Sequence, residues 1–121
     1  MKSYSTNSSQ PSLTELPLLS ESPGYEVLEG DPRASIRFDR GSATSDHRLG
    51  IWSCTPGIFR CTEKGNELQT VMEGKLTLVS ETGEEHHLGP GDSIYTEKGE
   101  KVIWKVHQTV KKVFFTHDSA C

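Results

Sequence analysis

Lys75-Leu76-Thr77-Leu78-Val79-Ser80-Glu81-Thr82-Gly83-Glu84-Glu85-His86-His87-Leu88-Gly89-Pro90-Gly91-Asp92-Ser93-Ile94-Tyr95-Thr96 is the stretch from which the fold is read. Leu76 and Leu78 recur at period two, the spacing of a strand with one face buried. Glu81-Thr82-Gly83-Glu84 then reverses the chain, with Gly83 available for a positive φ. A second strand closes the hairpin at Leu88. Leu88-Gly89-Pro90-Gly91-Asp92 makes a tight corner, and Ser93 to Thr96 begins another strand.

The same pattern continues on both sides of this unit. Gly30-Asp31-Pro32, Asp39-Arg40-Gly41, Pro56-Gly57, Lys64-Gly65-Asn66, Glu73-Gly74 and Lys98-Gly99 are turn formers. Between them lie short runs rich in β-branched and aromatic residues, such as Ile51-Trp52, Val102-Ile103-Trp104-Lys105-Val106 and Val113-Phe114-Phe115. No segment holds a 3.6-residue period for three turns, so a helical fold is excluded. Many short strands at this spacing predict an antiparallel sandwich or barrel.

The N-terminal stretch reads differently. Ser3-Tyr4-Ser5-Thr6-Asn7-Ser8-Ser9 has too little apolar surface to offset the entropy of ordering it. Pro17 and Pro23 argue against a long helix. The predicted organisation is a flexible arm, residues 1–22, and one barrel domain, residues 23–121. Leu13, Leu16, Leu18 and Leu19 are placed to dock on the barrel wall or on a partner subunit.

Composition narrows the function classes. A chain of 121 residues suits a single core. The net charge is −4 and no stretch is strongly basic, which disfavours a nucleic-acid groove. No apolar run approaches the roughly 18–20 residues that span a bilayer. Met1 to Gln10 lacks the apolar segment of a signal peptide. No membrane partner and a cytoplasmic location are therefore expected. The three cysteines, Cys54, Cys61 and Cys121, are odd in number and lack CxxC spacing, a poor disulfide framework and a poor zinc site. Cys54 and Cys61 read as buried thiols, Cys121 as an incidental exposed one.

The ordered motif pieces resemble the cupin family, whose motifs are written G(X)5HXH(X)3–4E(X)6G and G(X)5PXG(X)2H(X)3N. Glu67 is followed by six residues and Gly74, and Gly91 by five residues and Glu97-Lys98-Gly99. Glu97 stands where proline is usual. The resemblance runs from about Gly24 to Thr116. It is closest to small single-domain cupins related to the cupin domain of ureidoglycine aminohydrolase. The residues that carry this are Gly50-Ile51-Trp52-Ser53-Cys54-Thr55-Pro56-Gly57, Met72-Glu73-Gly74, Pro90-Gly91-Asp92, and Trp104 before Lys111-Lys112-Val113. It implies an all-β, antiparallel, cupin-type double-stranded β-helix, or jelly-roll barrel, and a homodimer.

The metal-ligand positions depart from the family pattern. Counting back from Glu67 puts either Cys61 and Glu63 or Arg60 and Thr62 where two histidines stand. Val102 takes the place of the third. The usual set of imidazoles and a carboxylate, suited to Fe, Mn, Ni or Zn, is reduced to Glu67. No metal cofactor is expected, with a mixed site of Cys61, Glu63 and Glu67 as the alternative. His47, His86, His87, His107 and His117 stand at none of these positions.

The expected pocket is built around Glu67, an inward carboxylate acting as acid/base or gripping a cationic group. Burying a lone charge is costly, so it needs a partner, and Arg60 and Gln69 are the candidates. Trp52 and Trp104 form an aromatic wall. Cys54, Cys61, Glu63 and Tyr95 complete the set. The expected function is binding of a small polar or amino-containing metabolite by a cupin with a degenerate metal site. Two alternatives stay open. One is an enzyme acting on a small nitrogenous compound, aminohydrolase-like or isomerase-like. The other is a non-catalytic accessory or assembly subunit.

Overall fold

Strand alternation and glycine corners set the architecture. The computed structural model describes residues 1–5 and 13–118. Among these, nine strands run in chain order: β1 (Thr14–Glu15), β2 (Tyr25–Gly30), β3 (Ala34–Arg40), β4 (His47–Cys54), β5 (Gly57–Thr62), β6 (Asn66–Val79), β7 (Glu85–Leu88), β8 (Ser93–Thr96) and β9 (Lys101–His117). One short 3-10 turn covers Leu19–Glu21. Every strand pairing is antiparallel.

The two long strands, β6 and β9, pair with each other and tie two walls together. The C-terminal half of β9 pairs with β4 and its N-terminal half with β5. Likewise β6 pairs with β8 through Glu67–Thr70 and with β7 through Leu76–Val79. One wall therefore reads β1-β3-β4-β9-β6-β8 and the other β2-β5-β9-β6-β7. The sheet curls into an all-β barrel, the fold class expected from the sequence.

Glu73-Gly74 does not end a strand, as its turn chemistry suggests. β6 continues through it to Val79, with its register to β9 shifting between Val71 and Leu76. Gly74 has φ 87°, and a Cβ there would lie 2.2 Å from the Thr109 carbonyl oxygen. The glycine bends the strand instead of reversing it, as bulges at barrel corners do.

Period-two alternation decides what enters the interior. Leu76, Leu78, Val102, Val106, Val110 and Cys54 are all buried and close one part of the barrel with an apolar plug. Phe59 and Trp104 stack nearly parallel at 5.9 Å on this plug. The remaining interior is open and lined by both aromatic and charged side chains.

Much of residues 13–22 lies against the domain. Thr14 and Glu15 pair with Ile36 and Ser35 of β3, and Leu16 N–H donates to the Ala34 carbonyl at 2.9 Å. Leu19 is buried in the core and Leu16 packs against it. The Tyr4 hydroxyl donates to the Asp39 carboxylate. Most of the polar run, residues 6–12, and Cys121 lie outside the described residues. Among the described residues no helix is long and apolar enough to cross a membrane.

Candidate functional site

The open part of the interior holds a cavity of about 330 Å³, within the size range of small-ligand pockets. Strand register supplies its side chains. Arg48, Thr116 and Glu67 are neighbours across β4, β9 and β6, and Trp52 and Lys112 across β4 and β9. Phe59 and Trp104 face them from the other wall. The β5–β6 loop, Glu63-Lys64-Gly65, crosses the mouth. It is pinned by Glu63 N–H donating to the Glu100 carbonyl and Gly99 N–H donating to the Glu63 carbonyl, both at 2.8 Å.

Lys112 holds the centre. Its ammonium donates to Glu67 Oε2 at 2.9 Å and to Gln69 Oε1 at 2.5 Å. It also lies 4.8 Å from the Trp52 ring centroid and 4.6 Å from that of Trp104. Two aromatic faces, a carboxylate and an amide oxygen thus surround one cation. The other Glu67 oxygen accepts from Thr116 Oγ1 at 2.7 Å, and Gln69 Nε2 donates to Thr96 Oγ1 at 3.4 Å.

Glu63 is the second carboxyl of the pocket, and it is poorly served. Its Oε1 accepts from Trp104 Nε1 at 3.3 Å and from the Cys61 thiol at 3.6 Å. Among the described residues nothing donates to its Oε2. Burial pushes the Glu63 carboxyl above its ordinary value, and the Glu67 charge adds to the rise while Lys112 opposes it. Burial likewise pushes the Cys61 thiol far up and Cys54 up to about 12. The pocket therefore contains a carboxyl biased toward its neutral form beside one held in an ion pair with Lys112.

Of the residues singled out in the sequence, Trp52, Cys61, Glu63, Glu67 and Trp104 line the cavity together. Gln69 is inward and buried, but it touches Lys112 from behind. Cys54 is wholly buried, and its thiol bonds the Thr55 carbonyl at 3.4 Å. Arg60 is not in the pocket. It sits between inward Phe59 and Cys61, so alternation points it outward, where it pairs with Glu26 of β2. Tyr95 also faces out and is 56% exposed, while its neighbour Thr96 turns in. The partner of Glu67 is therefore Lys112 rather than Arg60. Lys112 was legible: it is in phase with Val110 and Phe114, both buried. Arg48 and Lys64 also line the cavity, and only the fold brings them there.

The cupin resemblance implies a metal, and these residues do not fit one. Both Glu67 oxygens are engaged by Lys112 and Thr116. The Cys61 thiol is held protonated by burial, whereas a thiol binds metal as thiolate. Among the described residues no three His, Cys, Asp or Glu side chains converge on a point suited to a metal ion.

Similarity to known proteins agrees with the architecture. The EutQ-like cupin domain matches residues 41–114. The EutQ protein of Clostridium difficile superposes with a TM-score of 0.64 at 18% identity, over 74% of this chain and 71% of that one. A Pseudomonas syringae protein of unknown function from the DUF861 family gives 0.74 at 23% identity, over 87% of this chain and 44% of that one. Ectoine synthase from P. lautus gives 0.61 at 17% identity, over 71% and 65%. At these identities the likeness carries the fold alone. No curated protein matches the sequence. The residue pattern pointed more finely, to the ureidoglycine aminohydrolase group of cupins, and the match reaches the wider family: this chain belongs to the EutQ-like cupin domain family.

Proposed function

We propose that this protein binds a small amino-containing metabolite in its barrel mouth, with Glu63 as the anchor. The observation that carries this is the half-buried Glu63 carboxyl, which turns into the cavity with one oxygen that receives no donor among the described residues. An ammonium ligand supplies the missing donor and favours ionised Glu63, offsetting its desolvation. The aromatic residues lining the cavity shield that contact from water. The resemblance to the ureidoglycine aminohydrolase cupin domain is in keeping with a nitrogenous ligand. Glu67 is already engaged and holds the floor in place.

Thermal-shift and calorimetric titration with primary amines and their isosteric alcohols tests the proposal. Amines should bind and alcohols should not, with stabilisation of about 2.7 kcal/mol at a hundredfold excess over Kd. Glu63→Gln should abolish the response. Equal response to amine and alcohol, or an unaffected Glu63→Gln variant, would sink the reading.

The homodimer implied by the cupin resemblance also has a candidate face. Tyr95, Leu68 and Phe115 are register neighbours across β8, β6 and β9. They are 56%, 52% and 44% exposed, a contiguous apolar row on the outside of the barrel. Sedimentation should show a dimer that Leu68→Glu converts to a monomer. A monomeric parent protein would overturn this assignment.

A further inference from the structure

We infer that the ligand is a zwitterion, its ammonium inside against Glu63 and its carboxylate at the mouth against Arg48 and Lys64. This rests on the amine reading above and adds the ligand's second charge. Three cations and three acids line the cavity: Lys112, Arg48, Lys64, Glu63, Glu67 and Asp118. Two of the acids are already matched. Glu67 holds Lys112, and Asp118 holds Lys98 at 2.6 Å. Glu63, Arg48 and Lys64 are left outside these pairs, with Arg48 close enough to Asp118 to help hold its carboxyl low.

The two leftover cations lack any ion pair among the described residues. Arg48 spends Nη1 on the Ser45 carbonyl at 2.7 Å. The Lys64 ammonium lies 5.5 Å from the centroid of Tyr25, a contact that leaves its donors unused. Lys64 is exposed on the mouth-crossing loop and Arg48 is half-buried on β4. Glu63, by contrast, reaches inward to Trp104. The Lys64 ammonium therefore stands exposed at the mouth, while the Glu63 carboxyl, half-buried as Arg48 is, turns inward.

That separation discriminates between ligands. A plain amine must pass and then remain near two positive side chains, and like charges at close range disfavour it. A plain carboxylate meets the rim but places its apolar or neutral end against Glu63. A molecule carrying both charges matches both ends and adds no net charge to the pocket.

The test uses the full chain and three matched series: ω-amino acids from 3-aminopropanoate to 6-aminohexanoate, the alkylamines of equal length, and the corresponding alkanoates. The best ω-amino acid should bind about tenfold tighter than its matched amine, a one-decade difference that calorimetry resolves. Lys64→Gln should cut this advantage to about threefold, and Arg48→Gln with Lys64→Gln should erase it while tightening the plain amine. Lys64 makes no hydrogen bond, so Lys64→Gln is the variant least able to disturb folding. The advantage should also shrink between low and high salt, because the rim is exposed. If amine and amino acid bind equally and Glu63→Gln abolishes both, the zwitterion inference falls and the amine reading stands. If no amine binds, both fall. If the alkanoate binds best and ignores Glu63→Gln, the pocket is an anion site and both fall.

Discussion

Lys112 and Glu67 form an ion pair of 2.9 Å inside the barrel, with side chains only 7% and 16% exposed. Neither has another ionic partner among the described residues. Removing one leaves the other charge largely buried and alone, which typically costs about 3–5 kcal/mol. Lys112→Met and Glu67→Gln should each lower stability by roughly that amount, measured by urea unfolding. The double variant should lose far less than the sum. Additive losses would show that the two groups are not coupled.

Glu63 makes stability depend on pH in a defined direction. Its carboxyl is raised in the folded protein, so at pH below the ordinary carboxylate value both folded and unfolded chains hold the proton and nothing is lost. As pH rises above that value, the unfolded chain releases its proton first, and stability falls until the folded carboxyl ionises too. Glu63→Gln should lack this fall. The variant should gain on the parent as pH goes from 4 toward 8, read by urea midpoints at each pH. A difference that stays constant or narrows over that range would place Glu63 in water.

Trp52 and Trp104, the chain's two tryptophans, both line the cavity, so intrinsic fluorescence reports on it without labelling. Lys112 lies against both rings. A ligand entering the mouth should shift or quench the emission with the same midpoint that calorimetry gives. Lys112→Met should change the spectrum of the unliganded protein. An unchanged spectrum in both cases would mean that neither ring senses the cavity.

Gly74→Ala should destabilise the fold by about 2 kcal/mol or more, because it combines a left-handed backbone with a backbone clash. The φ is 87° and the added Cβ would meet the Thr109 carbonyl oxygen at 2.2 Å. Gly83 has the same φ of 87°, but a Cβ there meets nothing within 4 Å. Gly83→Ala should therefore cost distinctly less. Equal losses in thermal unfolding would mean that the clash at Gly74 is relieved.

Thiol chemistry provides a further check. In a Cys121→Ser protein, a small disulfide reagent should react with Cys54 and Cys61 only on unfolding. Both are buried, and burial holds both thiols well above neutral pH. Fast native-state reaction at Cys61 would show that the cavity admits the reagent and that its thiol is ionised.

What the sequence disclosed follows from how each signal is encoded. The hairpin around Gly83 was legible because alternation and turn chemistry are local: Leu76 and Leu78 are buried, and Gly83 N–H bonds back to the Ser80 carbonyl at 3.0 Å. The continuity of β6 was not, since Glu73-Gly74 has the composition of a turn and only the pairing with β9 keeps it a strand. The Glu67 partner is a problem of register. Lys112 lies 45 residues away, and nothing in sequence proximity distinguishes it from Arg60. Its inward phase between Val110 and Phe114 was the usable clue. Arg48 and Lys64 carried no local mark, because a charged residue near a loop has the same appearance whether it faces bulk water or a cavity.

The ammonium of Lys112 is part of the polypeptide. It is present at a stoichiometry of one per chain from the moment of synthesis, and no chelator can strip it. Its charge does not depend on metal supply or oxidation state, and it needs no loading step or insertion partner. The floor of this barrel therefore has the same polarity in metal-starved and metal-replete surroundings, and protein purified through chelating buffers keeps it unchanged.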